Sequence, residues 1–90
     1  MINTDQLDIK KILEDIFREI LDIPLTEDVT NLTMLGSSKW DSLAQVLIVS
    51  AIETHFGLRL SAKDFSQLTS FKAGILILTE NIRKWIKNHL

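Results

Sequence analysis

The chain has no cysteine among its 90 residues. That excludes disulfides, a zinc–thiolate centre and a cysteine nucleophile, and a small cysteine-free domain suits the cytosol. Histidine is nearly absent too. His55 and His89 are far apart with no ligand pattern near either, so no metal site is expected and both read as solvated residues at helix ends. Charge of one sign is scarce: ten Lys and Arg stand against twelve Asp and Glu, for a formal net charge of -2. A basic stripe for nucleic acid is therefore not expected. The mild cluster Arg83, Lys84 and Lys87 reads as favourable charge in the last turns of a C-terminal helix. Long apolar runs are missing; the longest, Gly74 to Leu78, is far too short to cross a membrane. Met1 to Lys11 alternates polar and apolar residues, unlike a signal peptide. Enzyme signatures are missing as well. There is no glycine-rich phosphate loop, no HExxH and no GxSxG.

What remains is an ordinary apolar fraction of 46% and a charged fraction of 24%, enough for one globular domain over residues 1–90. Ile9, Ile12, Leu13, Ile16, Phe17, Ile20 and Leu21 recur with helical spacing. They predict an amphipathic helix from about Asp5 to Leu21, capped by Thr4 or Asn3 and ended by Pro24. Residues 22 to 41 then predict a long loop, and a loop of that length is often functional. Val29, Leu32 and Leu35 recur there every three residues and are expected to plug the loop into the core.

Asp41 is a good N-cap for a second helix starting at Ser42, and Gly57 is suited to its left-handed stop. The expected buried face is Leu43, Val46, Val49, Ile52 and Phe56, with Leu47 and Ile48 extending the apolar surface around the helix. Ser61 predicts the cap of a short helix over Ala62 to Gln67. Ser70 predicts the cap of a last helix from Phe71 to about Asn88, with the stripe Phe71, Ile75, Leu78, Ile82 and Trp85 and with Ile86 beside it. The fold class expected is all-α: an antiparallel bundle of three long helices and one short one, with a long loop between the first two.

One spot offers chemistry. Ser42 falls at the first position of the second helix, where a phosphate ester meets unpaired N–H groups and the positive end of the helix dipole. Taken alone the signal is weak, because capping selects Asp-Ser at a helix start as well.

Asp41-Ser42-Leu43, followed by Val46, Val49, Ala51-Ile52-Glu53 and Phe56, resembles the signature of the acyl carrier protein family. Leu32-Thr33-Met34-Leu35-Gly36 resembles that family's leucine-glycine loop before the serine, and Leu68-Thr69-Ser70-Phe71 the start of its last helix. The resemblance implies that Ser42 bears 4'-phosphopantetheine, with Asp41 and Leu43 as its neighbours at the cofactor site. It implies a phosphopantetheinyl transferase that uses coenzyme A and a magnesium ion. It also implies an acyl- or aminoacyl-loading ligase, and a downstream synthase or transferase acting on the thioester. Such a carrier is a substrate of its partners and not itself an enzyme, and any thiol on the mature protein belongs to the arm. Trp40, Leu43, Val46, Leu47 and Glu53 are the expected partner-binding residues, and a cytoplasmic monomer is expected.

Two departures stand out. Ala44, Leu47, Thr54 and His55 occupy positions where many fatty-acid carriers bear acids, so electrostatic steering to such partners is expected to be weak. Ser37-Ser38-Lys39-Trp40 also lengthens the segment between Gly36 and Asp41. Both point to a specialised carrier in a dedicated pathway, such as polyketide, aminoacyl or lipid-modifying biosynthesis, and the function expected is an acyl carrier of a fatty-acid, polyketide or related pathway. An aminoacyl or peptidyl carrier of a non-ribosomal pathway has the same fold and arm and stays open as an alternative. So does a helical protein-interaction module in which Ser42 is only a cap residue.

Overall fold

The computed structural model describes residues 4–89, with side chains from residue 9 onward. It holds four helices: α1 (Thr4–Leu21), α2 (Ser42–Phe56), α3 (Ala62–Gln67) and α4 (Phe71–His89). This is the expected all-α bundle of three long helices and one short one. Asn3 and the Thr4 side chain, the expected caps of α1, lie outside the described residues.

α1 turns the expected stripe inward. Leu13, Ile16, Phe17 and Leu21 are buried, with Ile9, Ile12 and Ile20 packed beside them. The helix stops two residues earlier than the proline alone requires. Asp22 adopts a left-handed backbone at φ 57°, and the Ile23 N–H reaches back to Arg18 O at 2.9 Å, a Schellman-type end. Arg18 also secures the start of the long connection: its guanidinium donates to Pro24 O at 2.6 Å and Glu27 O at 2.7 Å.

That connection is ordered by turns and by one antiparallel bridge between Thr33 and Ser70. Met34 N–H donates to Thr69 O at 2.8 Å and Phe71 N–H to Leu32 O at 3.0 Å. The spacing-by-three expectation fails here. Val29 is fully buried and Leu32 partly so, but Leu35 is fully exposed. At the bridge Leu32 and Met34 are half-buried on either side of exposed Thr33, and Leu35 projects from the turn that follows, closed by Ser37 N–H on Met34 O at 3.4 Å.

α2 also corrects the expected face. Its buried residues are Ala44, Gln45, Ile48, Val49 and Ile52, whereas Leu43 and Val46 are exposed and Phe56 is only partly buried. Each step of three lags a full helical turn by roughly 60°, so the steps from Leu43 to Ile52 wander halfway round the helix. The observed set forms two adjacent rows that each step by four, Ala44–Ile48–Ile52 and Gln45–Val49, and so stays on one side. Gly57 closes the helix at φ 64°, with its N–H on Glu53 O.

α3 has a full capping box, with Ser61 Oγ accepting from Asp64 N–H at 3.0 Å and Asp64 Oδ2 accepting from Ser61 N–H at 3.3 Å. Ser70 Oγ caps α4 by accepting from Ala73 N–H at 2.9 Å. α4 buries Phe71, Gly74 and Leu78. A Cβ on Gly74 would stand 3.0 Å from Leu13 Cδ2 and 3.1 Å from Leu68 Cδ1, so glycine permits this approach. The far end of the expected stripe is not core: Trp85 and Ile86 are exposed, and Trp85 stacks on His89 at 4.2 Å. Among the described residues no helix is long and apolar enough to cross a membrane.

Candidate functional site

Asp41 is the N-cap of α2, with an extended backbone at φ -98° and ψ -170°. Its Oδ1 accepts from Ala44 N–H at 2.9 Å, and its carbonyl accepts from Gln45 N–H at 2.9 Å. Two of the four first-turn amides are thus used. The N–H groups of Ser42 and Leu43 have no partner among the described residues.

Ser42 is exposed and is the first residue of α2. A phosphodiester on its hydroxyl would therefore meet two donors and the positive end of a fifteen-residue helix. The residues present fit such a group. Asp41 caps the helix with its carboxylate on the Ala44 amide, and its negative charge beside a phosphate is mildly unfavourable.

A shallow groove of about 240 Å³ opens beside the serine. Val46 and Gln45 of α2 form one wall, Phe65 and Ser66 of α3 the other, and Met34 and Thr69 close the ends. Leu43, Val46 and Leu47 lie outside the core at 67%, 51% and 47% exposure. With Ser50, they give α2 an uncharged, largely apolar outer surface next to Ser42.

Two expected partner residues sit elsewhere. Trp40 is 2% exposed. Its indole meets Phe17 edge-on, and its Nε1–H donates to Gln45 Oε1 at 2.7 Å. It anchors the loop to the core and offers no surface to a partner, because burial is the favourable state for so large a ring once its N–H is satisfied. Glu53 is half-buried and turns toward the α2–α3 connection. Its Oε2 accepts from Leu60 N–H at 2.9 Å, holding the α2–α3 connection.

Sequence reasoning missed Gln45, the one buried polar side chain among the described residues. Besides accepting from Trp40, it donates through Nε2 to Phe65 O and to Leu68 O, both at 2.9 Å. A glutamine one turn into a helix carries no sequence signal of burial. The one hint was its place between apolar neighbours.

The model of the phosphopantetheine attachment site family matches residues 11–73, a span that runs from α1 through the serine and α3 to the start of α4. The chain belongs to this family. The family's cofactor is 4'-phosphopantetheine, held covalently, and the protein is a phosphopantetheine carrier. No curated protein and no solved structure matches the chain.

Proposed function

We propose that Ser42 is the attachment point of the arm and that the protein carries acyl groups as thioesters in a biosynthetic pathway. The observation that carries this reading is the exposed hydroxyl at the first position of α2, beside two unpartnered amides. In the loading step the serine oxygen attacks the β-phosphorus of coenzyme A, the phosphoanhydride bond breaks, and 3',5'-adenosine bisphosphate leaves. The serine proton passes to a base of the transferase. Once bound, the arm supplies a thiol on which an acyl group is held. The chain's own part is to present the serine, to hold the ester's charge at the amides of Ser42 and Leu43, and to offer its partners a surface. The protein is a non-catalytic carrier, one domain over residues 1–90, monomeric and cytoplasmic. It serves a phosphopantetheinyl transferase, a loading ligase and a downstream synthase or transferase.

The partner surface comprises Leu43, Val46 and Leu47. With no exposed acid among its side chains, docking is carried by apolar contact and depends little on salt. The apolar groove beside Ser42 favours an acyl over an aminoacyl cargo.

The test is intact mass after incubation with coenzyme A, magnesium and a broad-specificity transferase, with Ser42→Ala alongside. A gain of one phosphopantetheine and one thiol, absent in the variant, is expected. No gain, or a gain that survives Ser42→Ala, overturns the assignment. Hydroxylamine treatment of the protein isolated from its source then releases the cargo: a simple acyl hydroxamate supports the acyl reading, and an aminoacyl hydroxamate replaces it with the peptidyl one.

A further inference from the structure

Gln45 is 4% exposed, and an amide is costly to bury unless its hydrogen bonds are made. A methionine would fill the same space without that demand. Gln45 meets it with three bonds, each to a different stretch of chain: Trp40 at the end of the long loop, Phe65 within α3, and Leu68 just after it.

Phe65 O and Leu68 O lie at the end of α3, where a helix leaves carbonyls short of partners. Phe65 O accepts from the Leu68 N–H at 3.4 Å, and Gln45 adds a second, shorter bond to it and a donor for Leu68 O. α3 has few other ties. It is six residues long and buries no side chain of its own, too short to hold itself together in water. Besides the capping box at its start, among the described residues its side chains reach the rest of the fold by one hydrogen bond, Asn81 Nδ2–H donating to Asp64 Oδ2 at 3.2 Å, and by the partly covered ring of Phe65. The groove beside Ser42 has α2 as one wall and α3 as the other, and the Gln45 amide spans the two.

We propose that Gln45 is a positioning residue: it latches α3 to α2 and so fixes the far wall of the groove along which the arm leaves Ser42. The part that concerns the arm rests on Ser42 as the attachment point; the latch itself does not.

The experiment uses the full chain in apo and loaded forms. Gln45→Met keeps length and apolar packing but donates nothing. It is expected to speed amide exchange in α3, at Phe65 and Gln67, by about tenfold or more, while amides of the core in α1 and α2, such as Phe17 and Ile48, keep their protection. Loading the wild-type protein is expected to shift the amide resonances of Ser66 and Thr69, and in Gln45→Met those shifts disappear. Trp40→Phe removes one donor but leaves both α3 bonds, so α3 exchange and the arm-induced shifts persist in it. Unchanged α3 exchange in Gln45→Met, or faster exchange spread evenly over all four helices, overturns the latch. Arm-induced shifts that survive Gln45→Met overturn its role toward the arm. Should Gln45→Met unfold outright, Gln45→Asn, one methylene short of both carbonyls, carries the same expectations. If the wild-type chain takes no arm on Ser42, the exchange measurements still decide the latch alone.

Discussion

The ring of Phe17 meets the indole of Trp40 edge-on, with centroids 5.0 Å apart and planes at 87°. Phe17 meets Phe71 in the same manner at 5.4 Å. One aromatic residue of α1 thereby joins the last residue before the Asp41 cap to the first residue of α4. The position of Ser42 is thus set by the core, two residues away from it. Trp40→Ala removes the indole, leaves Gln45 Oε1 without its donor and opens a cavity. It should cost about 3 kcal/mol or more, and thermal denaturation followed by circular dichroism should show the midpoint falling by more than about 10 °C. A Trp40 that served only partners would leave the midpoint unmoved.

Asp41 acts through a single side-chain bond to the Ala44 amide. Asp41→Ala should destabilise the protein by about 1 kcal/mol, and Asp41→Asn by much less, because an amide oxygen accepts the same bond. Urea denaturation of the two variants checks this. An equal loss in both would mean that the carboxylate's charge at the helix start matters more than the cap.

The register of α2 is testable by a pair of truncations. Leu43→Ala is expected to change stability by no more than about 0.5 kcal/mol, as for an exposed side chain. Ile48→Ala, at a fully buried site, should cost about 2 to 5 kcal/mol. The reverse order would restore the face that spacing by three suggests.

That pair marks where the sequence is legible and where it is not. α1 alternates charged and apolar sides, so its inward face can be read directly. The caps Asp41, Ser61 and Ser70 and the stop at Gly57 can be read as well, since each is local chemistry between neighbours in sequence. α2 is apolar nearly all round. Periodicity then has no contrast to work with, and the choice of face falls to tertiary partners, chiefly the bonds that draw Gln45 inward. Trp40 misleads for a similar reason: an aromatic beside an exposed serine gives no sign of whether it points out or in. Leu35 misleads because it sits in the turn that follows a bridge to Ser70, a partner distant in sequence. The place of Ser42 at the start of α2 was legible because its capping signals are local, and the groove beside it was not, because α3 forms the opposite wall.

Asp28 tests the loop's response to acid. Its Oδ1 accepts from the Thr30 N–H at 3.0 Å, and the Thr30 hydroxyl bonds to the carboxylate at 2.9 Å and 2.8 Å. The backbone bond first, and the hydroxyl bond second, hold its carboxyl below the ordinary value of 3.8. A depressed carboxylate contributes stability that is present in full above its unfolded value and is lost as pH falls through the folded one. A carboxyl-detected titration by nuclear magnetic resonance should place the Asp28 midpoint below 3.8. In Thr30→Val the midpoint should rise part of the way back, since the backbone bond survives. A midpoint unmoved in Thr30→Val would remove the hydroxyl from the account.

The bridge between Thr33 and Ser70 alters the chain's connectivity as a polymer. Without it, the segment between α1 and α2 is one long excursion with free ends to close. With it, the excursion is cinched near its middle into two shorter circuits, and closing a circuit of half the length costs about 0.6 kcal/mol less in entropy. The knot of the cinch is the first turn of α4. Melting α4 therefore also undoes the cinch and returns the segment to a single longer circuit, held at its start by Arg18 and at its end by Trp40.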